Sequence, residues 1–151
     1  MNEVKTIRFS FAGINTDEFA VLNEAYFPEQ VANLNTTMAF QFNAAEKIFG
    51  MQVKFVISQQ ERTIAVLAVS CLFRIVAEDW VTIYADDIHQ LTMPKLPALH
   101  FASMTISTAR GVWHARTEKL PLRALIIPPI NTTDFIKDDI VLTNLEMSPA
   151  L

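Results

Sequence analysis

Asp86, Asp87 and His89 form the closest grouping in this chain of residues whose types could do chemistry together. Two carboxylates and an imidazole would suit a divalent cation or a general base, but no further ligand group stands at a recognised spacing from them. A solvated polar face is the simpler reading. His100 and His114 fall on one polar stripe of a helical repeat, four turns and roughly 21 Å apart along the axis, so they cannot share an ion. Cys71, the single cysteine, has no intrachain partner and lies among strand-forming residues rather than beside a base, which predicts an inert core thiol. Three glycines leave little material for a phosphate-cradling loop, and the serines of the C-terminal half carry no nucleophile-elbow motif. No catalytic residue, cofactor or metal is expected, and the chain reads as a non-enzyme.

The residues that remain are mostly apolar. Hydrophobic types make up 51% of the 151 residues and charged types only 19%, so a chain of one-domain size carries more apolar surface than it can easily bury alone. Part of that surface is expected to face a partner. The formal charge of −4, with no Lys and Arg cluster that could follow a phosphate backbone, argues against nucleic acid. Charges within Met1–Arg8 interrupt what a signal peptide would need as an apolar stretch. The longest apolar run, Ile64 to Phe73, is broken by Ser70 and falls far short of the roughly 20 residues that span a bilayer. A cytoplasmic location without membrane insertion is the expectation. With no repeat, low-complexity tract or linker, residues 1–151 are expected to form one domain, with an ordered core over about 5–138 and a loose C-terminal tail.

Hydrophobic periodicity places the elements. Ile7, Phe9 and Phe11 alternate with Arg8 and Ser10, which predicts a first strand between Lys5 and Ile14, followed by an irregular connection through Glu29. Alternation returns at Met38, Phe40 and Phe42 and again at Met51, Val53, Phe55 and Ile57, giving strands two and three, with a reversal near Lys47 to Gly50. From Thr63 to Val76 the chain is apolar at odd and even positions alike, the pattern of a strand buried on both faces or keeping one for a partner. Gln59–Arg62 is a polar turn before it. Val81 to Leu91 fits a short helix. Pro97 suits the opening of a helix in which Leu99, Ala102, Ile106, Ala109 and Trp113 recur at three and four residues, with His100, Ser103, Ser107, Arg110 and His114 on the opposite face. Leu120 to Ile127 is extended up to Pro128-Pro129, and Asn131 can cap a last short helix through Ile136. The fold class is α+β: a four-stranded antiparallel sheet with one long and one or two short helices.

That order of elements, and several short motifs, resemble the SecB family of protein-export chaperones. Leu96-Pro97-Ala98-Leu99-His100-Phe101 is similar to the family's Cys-Pro-Asn-Ile-Leu-Phe at the start of its long helix. Leu120-Pro121 and Pro128-Pro129-Ile130-Asn131 are similar to its Phe-Pro and Ala-Pro-Val-Asn, and Leu72-Phe73-Arg74-Ile75 to its Ile-Phe-Ser-Ile. Phe9 to Glu18 can be laid on its first strand. Ser70-Cys71 replaces a family Gly-Gly, and the glycines around the family's short helix are missing, so the chain is a divergent relative.

The resemblance implies an ATP-independent chaperone whose apolar grooves bind unfolded polypeptide. The matching groove positions are Met38, Phe40 and Phe42 on strand two and Ala65, Leu67 and Val69 on strand four. Ordinary core packing is the alternative use for all six. It also implies self-association as a homodimer or homotetramer, sheets paired and long helices packed between dimers. Glu18 matches one acidic position through which the family docks the SecA motor, while Leu22 and Val66 occupy two others, which weakens the case for SecA as a partner. The alternative function is a specialised SecB-like module that recognises one partner, such as an antitoxin.

Overall fold

Alternating side chains on a strand serve two faces, and most of this chain's sheet follows from that rule. The computed structural model describes residues 6–143. Four strands, β1 (Phe9–Val21), β2 (Asn33–Asn43), β3 (Ile48–Gln59) and β4 (Arg62–Ile75), form one antiparallel sheet in the order β1-β4-β3-β2. On β3, Phe49, Met51, Val53, Phe55 and Ile57 point inward and are buried. Directly opposed residues of antiparallel strands share a face, so Phe73, Cys71, Val69, Leu67 and Ala65 of β4 lie beside them.

The connections depart from expectation at one turn. The β2–β3 reversal closes over Ala44–Lys47, with Lys47 at φ 55° and the Asn43 side chain accepting from the Glu46 N–H, so Gly50 lies inside β3. The β3–β4 turn falls where the polar stretch predicted it. Its central residues, Gln60 and Glu61, adopt φ 49° and 64° without the glycine or asparagine that such a hairpin turn favours.

β1 is longer than its periodicity suggested. Register shifts between Phe11 and Gly13 and between Thr16 and Glu18 each insert an extra residue, so the inward positions become 9, 11, 14, 16, 19 and 21. A two-residue period cannot survive two bulges, which is why the second half of β1 reads as irregular.

Beyond β4, the helix expected over Val81 to Leu91 is displaced. Helix α1 covers Ala77–Ile83, and Tyr84–Ala85 (β5) and Gln90–Met93 (β6) form a hairpin that closes at His89, φ 49°. Asp79 fixes this start: it accepts from the Arg8 main-chain N–H at 2.8 Å and from the Arg8 guanidinium at 3.0 Å. The tail after Asp138 is also corrected, because Ile140–Thr143 (β7) pairs with β6 to complete a second, three-stranded sheet β5-β6-β7. Residues after 143, like Lys5 in the expected first strand, lie outside the described residues.

The long helix, α2 (Lys95–Thr117), begins two residues ahead of Pro97. Pro97 is tolerated there because N–H groups of a first helical turn have no intrahelical partner to lose. Ala102, Ile106, Ala109 and Trp113 are buried as the period predicts, together with Ala98, Phe101, Thr105 and Thr117, and Leu99 is half-buried. His100, Ser103, Ser107 and His114 are exposed. After α2 the chain makes a 3₁₀ turn at Pro121–Ala124, runs extended to Ile130, and turns again at Thr132–Asp134, where the Asn131 side chain accepts from the Thr133 N–H as expected of a cap.

Candidate functional site

A single helix is too narrow to cover a four-stranded sheet: helix axes sit 8–10 Å from what they pack on, and strands repeat every 4.8 Å or so. Helix α2 packs on β3 and β4, the two central strands. Ala65, Leu67 and Val69 are 2%, 0% and 0% exposed beneath it, so these three expected groove positions are core residues of the subunit and unavailable to a ligand while α2 stays docked. Of the two patterns expected for strand four, burial on both faces is the one found over its middle. On its outer face Ala68 and Ser70 are buried by bridges thrown across them from the neighbouring strands: Lys54 of β3 pairs with Glu18 of β1 at 3.1 Å, while Asp17 accepts from Gln52 at 2.9 Å and from the Ser70 hydroxyl. Small residues on β4 let these longer side chains meet above it.

Apolar surface escapes the helix along β1 instead. Phe11 and Ile14 are inward residues, opposite Phe73 and Cys71, yet they are 47% and 52% exposed. Their trough has built ends. At one, Phe9 is caged by Phe101, Phe73 and the His100 ring at centroid distances of 4.9, 5.7 and 6.0 Å; at the other, Phe19 lies 6.5 Å from Trp113 with the Arg116 guanidinium 5.5 Å above its ring. Between them run Phe11, Ile14 and Thr16. Along the partner strand the trough spans Ile75 to Leu67, roughly 27 Å at a strand rise of about 3.4 Å per residue.

The other flank is better filled. Met38, Phe40 and Phe42 of β2 are half-buried, inward-facing, and packed with the chain that follows α2 and with the α1–β5 corner. Phe40 stacks on Phe49 at 6.4 Å, and Phe42 lies 5.8 Å from Tyr84 and 6.4 Å from Trp80. The six expected residues thus divide into three half-open and three sealed. Phe11 and Ile14 are absent from that set because the family resemblance places the groove on strands two and four. The intervals of two and three along Phe9, Phe11, Ile14, Thr16, Phe19 and Val21 are the signal of a doubly bulged strand that could have found them.

Among the described residues, the groups whose types suit covalent or metal chemistry do not converge. Asp86, Asp87 and His89 sit on the β5–β6 turn, where the Tyr84 hydroxyl and His89 Nδ1 are 3.2 Å apart. Among the described residues no three His, Cys, Asp or Glu side chains are grouped to hold a metal ion. Burial pushes the Cys71 thiol up, against the opposing hydroxyls of Thr105 and Thr108. Glu18, the acidic position carried over from the family likeness, is half-exposed and engaged with Lys54. No described helix is long and apolar enough to cross a membrane.

No family model matches the chain, and no curated protein matches it significantly. Among solved structures it is similar to the SecB-like chaperone Rv1957 of Mycobacterium tuberculosis, determined in complex with a ChAD peptide from the Rv1956 HigA1 antitoxin. The TM-score is 0.52 at 16% identity, over 82% of this chain and 91% of that one. At that identity the likeness is one of fold.

Proposed function

From a SecB-like fold with one apolar flank left open, we propose that this chain is an ATP-independent chaperone that holds non-native polypeptide in the trough between β1 and α2. The observation that carries the reading is the half-exposure of Phe11 and Ile14 on the face of the sheet that elsewhere is core. Burying such surface stabilises a complex by about 25 cal/mol per Å², and because apolar burial has no direction, one trough can accept many sequences. An extended segment of about eight residues would fill its length. Met38, Phe40 and Phe42 extend the apolar surface on the β2 flank, and a second copy of the chain is the other natural cover for exposed β1.

The test is suppression of aggregation of a chemically unfolded substrate, without nucleotide. Ile14→Asp is expected to abolish protection with an unchanged circular dichroism spectrum, whereas Leu67→Asp, at a sealed position, is expected to unfold the domain. Full protection by Ile14→Asp, or none by the native chain, would reject the trough.

A second reading is a module devoted to one partner. It is favoured by the peptide held in the similar Mycobacterium structure, which comes from a single antitoxin. Competition separates the two, because a generalist is displaced by any unfolded chain and a specialist only by its cognate segment.

A further inference from the structure

The C-terminal end of α2 and the chain that follows it enclose a cleft separate from the β1 trough. Two hydrogen bonds build it: Trp113 Nε1 donates to the Leu125 carbonyl at 2.6 Å, and Arg110 Nε donates to the Ile127 carbonyl at 3.0 Å. Carbonyls two residues apart thus face the helix, the alternation of extended chain. Ile126 between them is 80% exposed and makes no main-chain hydrogen bond among the described residues. Arg110, His114 and Arg123 line the cleft with Trp113, Leu125 and Ile126.

The charge here opposes that of the molecule. The chain is −4 overall, yet Arg110, His114 and Arg123 line this cleft and no acidic side chain does. Neither arginine has an ion-pair partner among the described residues, where the salt bridges belong to Arg8, Lys54 and Arg74. A cationic rim beside an exposed aliphatic wall matches one kind of partner. We propose that this cleft binds an acidic polypeptide segment in which carboxylates alternate with aliphatic side chains. The carboxylates would meet Arg123, Arg110 and His114, and the aliphatic groups would cover Ile126. A nucleic acid fits less well, since so few cations cannot follow a phosphate repeat and the remaining surface repels a polyanion.

The proposal does not depend on the trough, and one titration distinguishes them. A fluorescently labelled peptide of alternating Glu and Leu is titrated with the full chain, alongside Gln-Leu and Lys-Leu versions. The Glu-Leu peptide is expected to bind tightest, to weaken with salt, and to lose about tenfold in affinity to Arg123→Glu, whose exposed position keeps the thermal melt unchanged. Ile14→Asp should leave it unaffected. Equal binding of the Gln-Leu peptide, indifference to both Arg123→Glu and His114→Glu, loss of binding in Ile14→Asp, or preferential capture of a single-stranded oligonucleotide at the same residues would each overturn it.

Discussion

Two side chains carry connections that the apolar pattern does not specify. Gln59 is 3% exposed, and its amide accepts from the Phe27 N–H at 3.0 Å and donates to the carbonyls of Phe27 and Gln30 at 2.9 and 3.1 Å. It holds the β1–β2 connection against the end of β3. Gln59→Leu removes all three bonds and leaves main-chain groups unpaired, for an expected loss of about 2–3 kcal/mol, measured as a lower urea midpoint. Asp79 does the same work for β1 and α1. Hydrogen bonds and charge from Arg8 hold its carboxyl below the ordinary aspartate value of 3.8. A depressed carboxylate stabilises the fold above its unfolded value, and that contribution is lost as pH falls through the lower folded one. The stability gap between the native chain and Asp79→Asn is therefore expected to be full near neutrality and to close in acid below 3.8, measured by urea melts across that range.

At the scale of elements, β1 and α2 set the shape of the trough by what each leaves uncovered. Two bulges return β1's apolar residues to the inner face twice, so an edge strand keeps an inward stripe from Phe9 to Val21 despite a broken alternation. Helix α2 supplies one face for two strands and no more. Its Gly111 is exposed, and a Cβ there would meet nothing within 4 Å, so close packing gives no reason for the glycine in a lone subunit. Gly111→Ala is expected to stabilise the domain by about 1 kcal/mol, read as a rise in melting temperature. A fall instead would mean that another helix approaches at that point.

For the whole molecule, the uncovered surface has a direction. Polar bridges close the sheet's outer face over Ala68 and Ser70, while the inner face is open along β1. Exposed Phe11 and Ile14 predict self-association: light scattering with gel filtration at micromolar concentration should give a multiple of 17.0 kDa, reduced in Ile14→Asp. A native chain running at one subunit mass would leave that stripe for clients alone.

The α+β class, β2, β3 and β4, the buried stripe of α2 and the Asn131 cap were legible in the sequence, because each obeys one local period or one local turn chemistry. The bulges of β1, the α1 start held by Asp79 and the late strand β7 were not, since each is decided by a partner distant in sequence: β4, Arg8 and β6. The same limit applied to the site. Composition determined that apolar surface would be left over, but Leu67 and Ile14 are equally apolar as letters. Only the seat of α2 over β3 and β4 decided that the first is sealed and the second faces solvent, because one helix covers two strands and the edge of a four-stranded sheet must find its cover elsewhere.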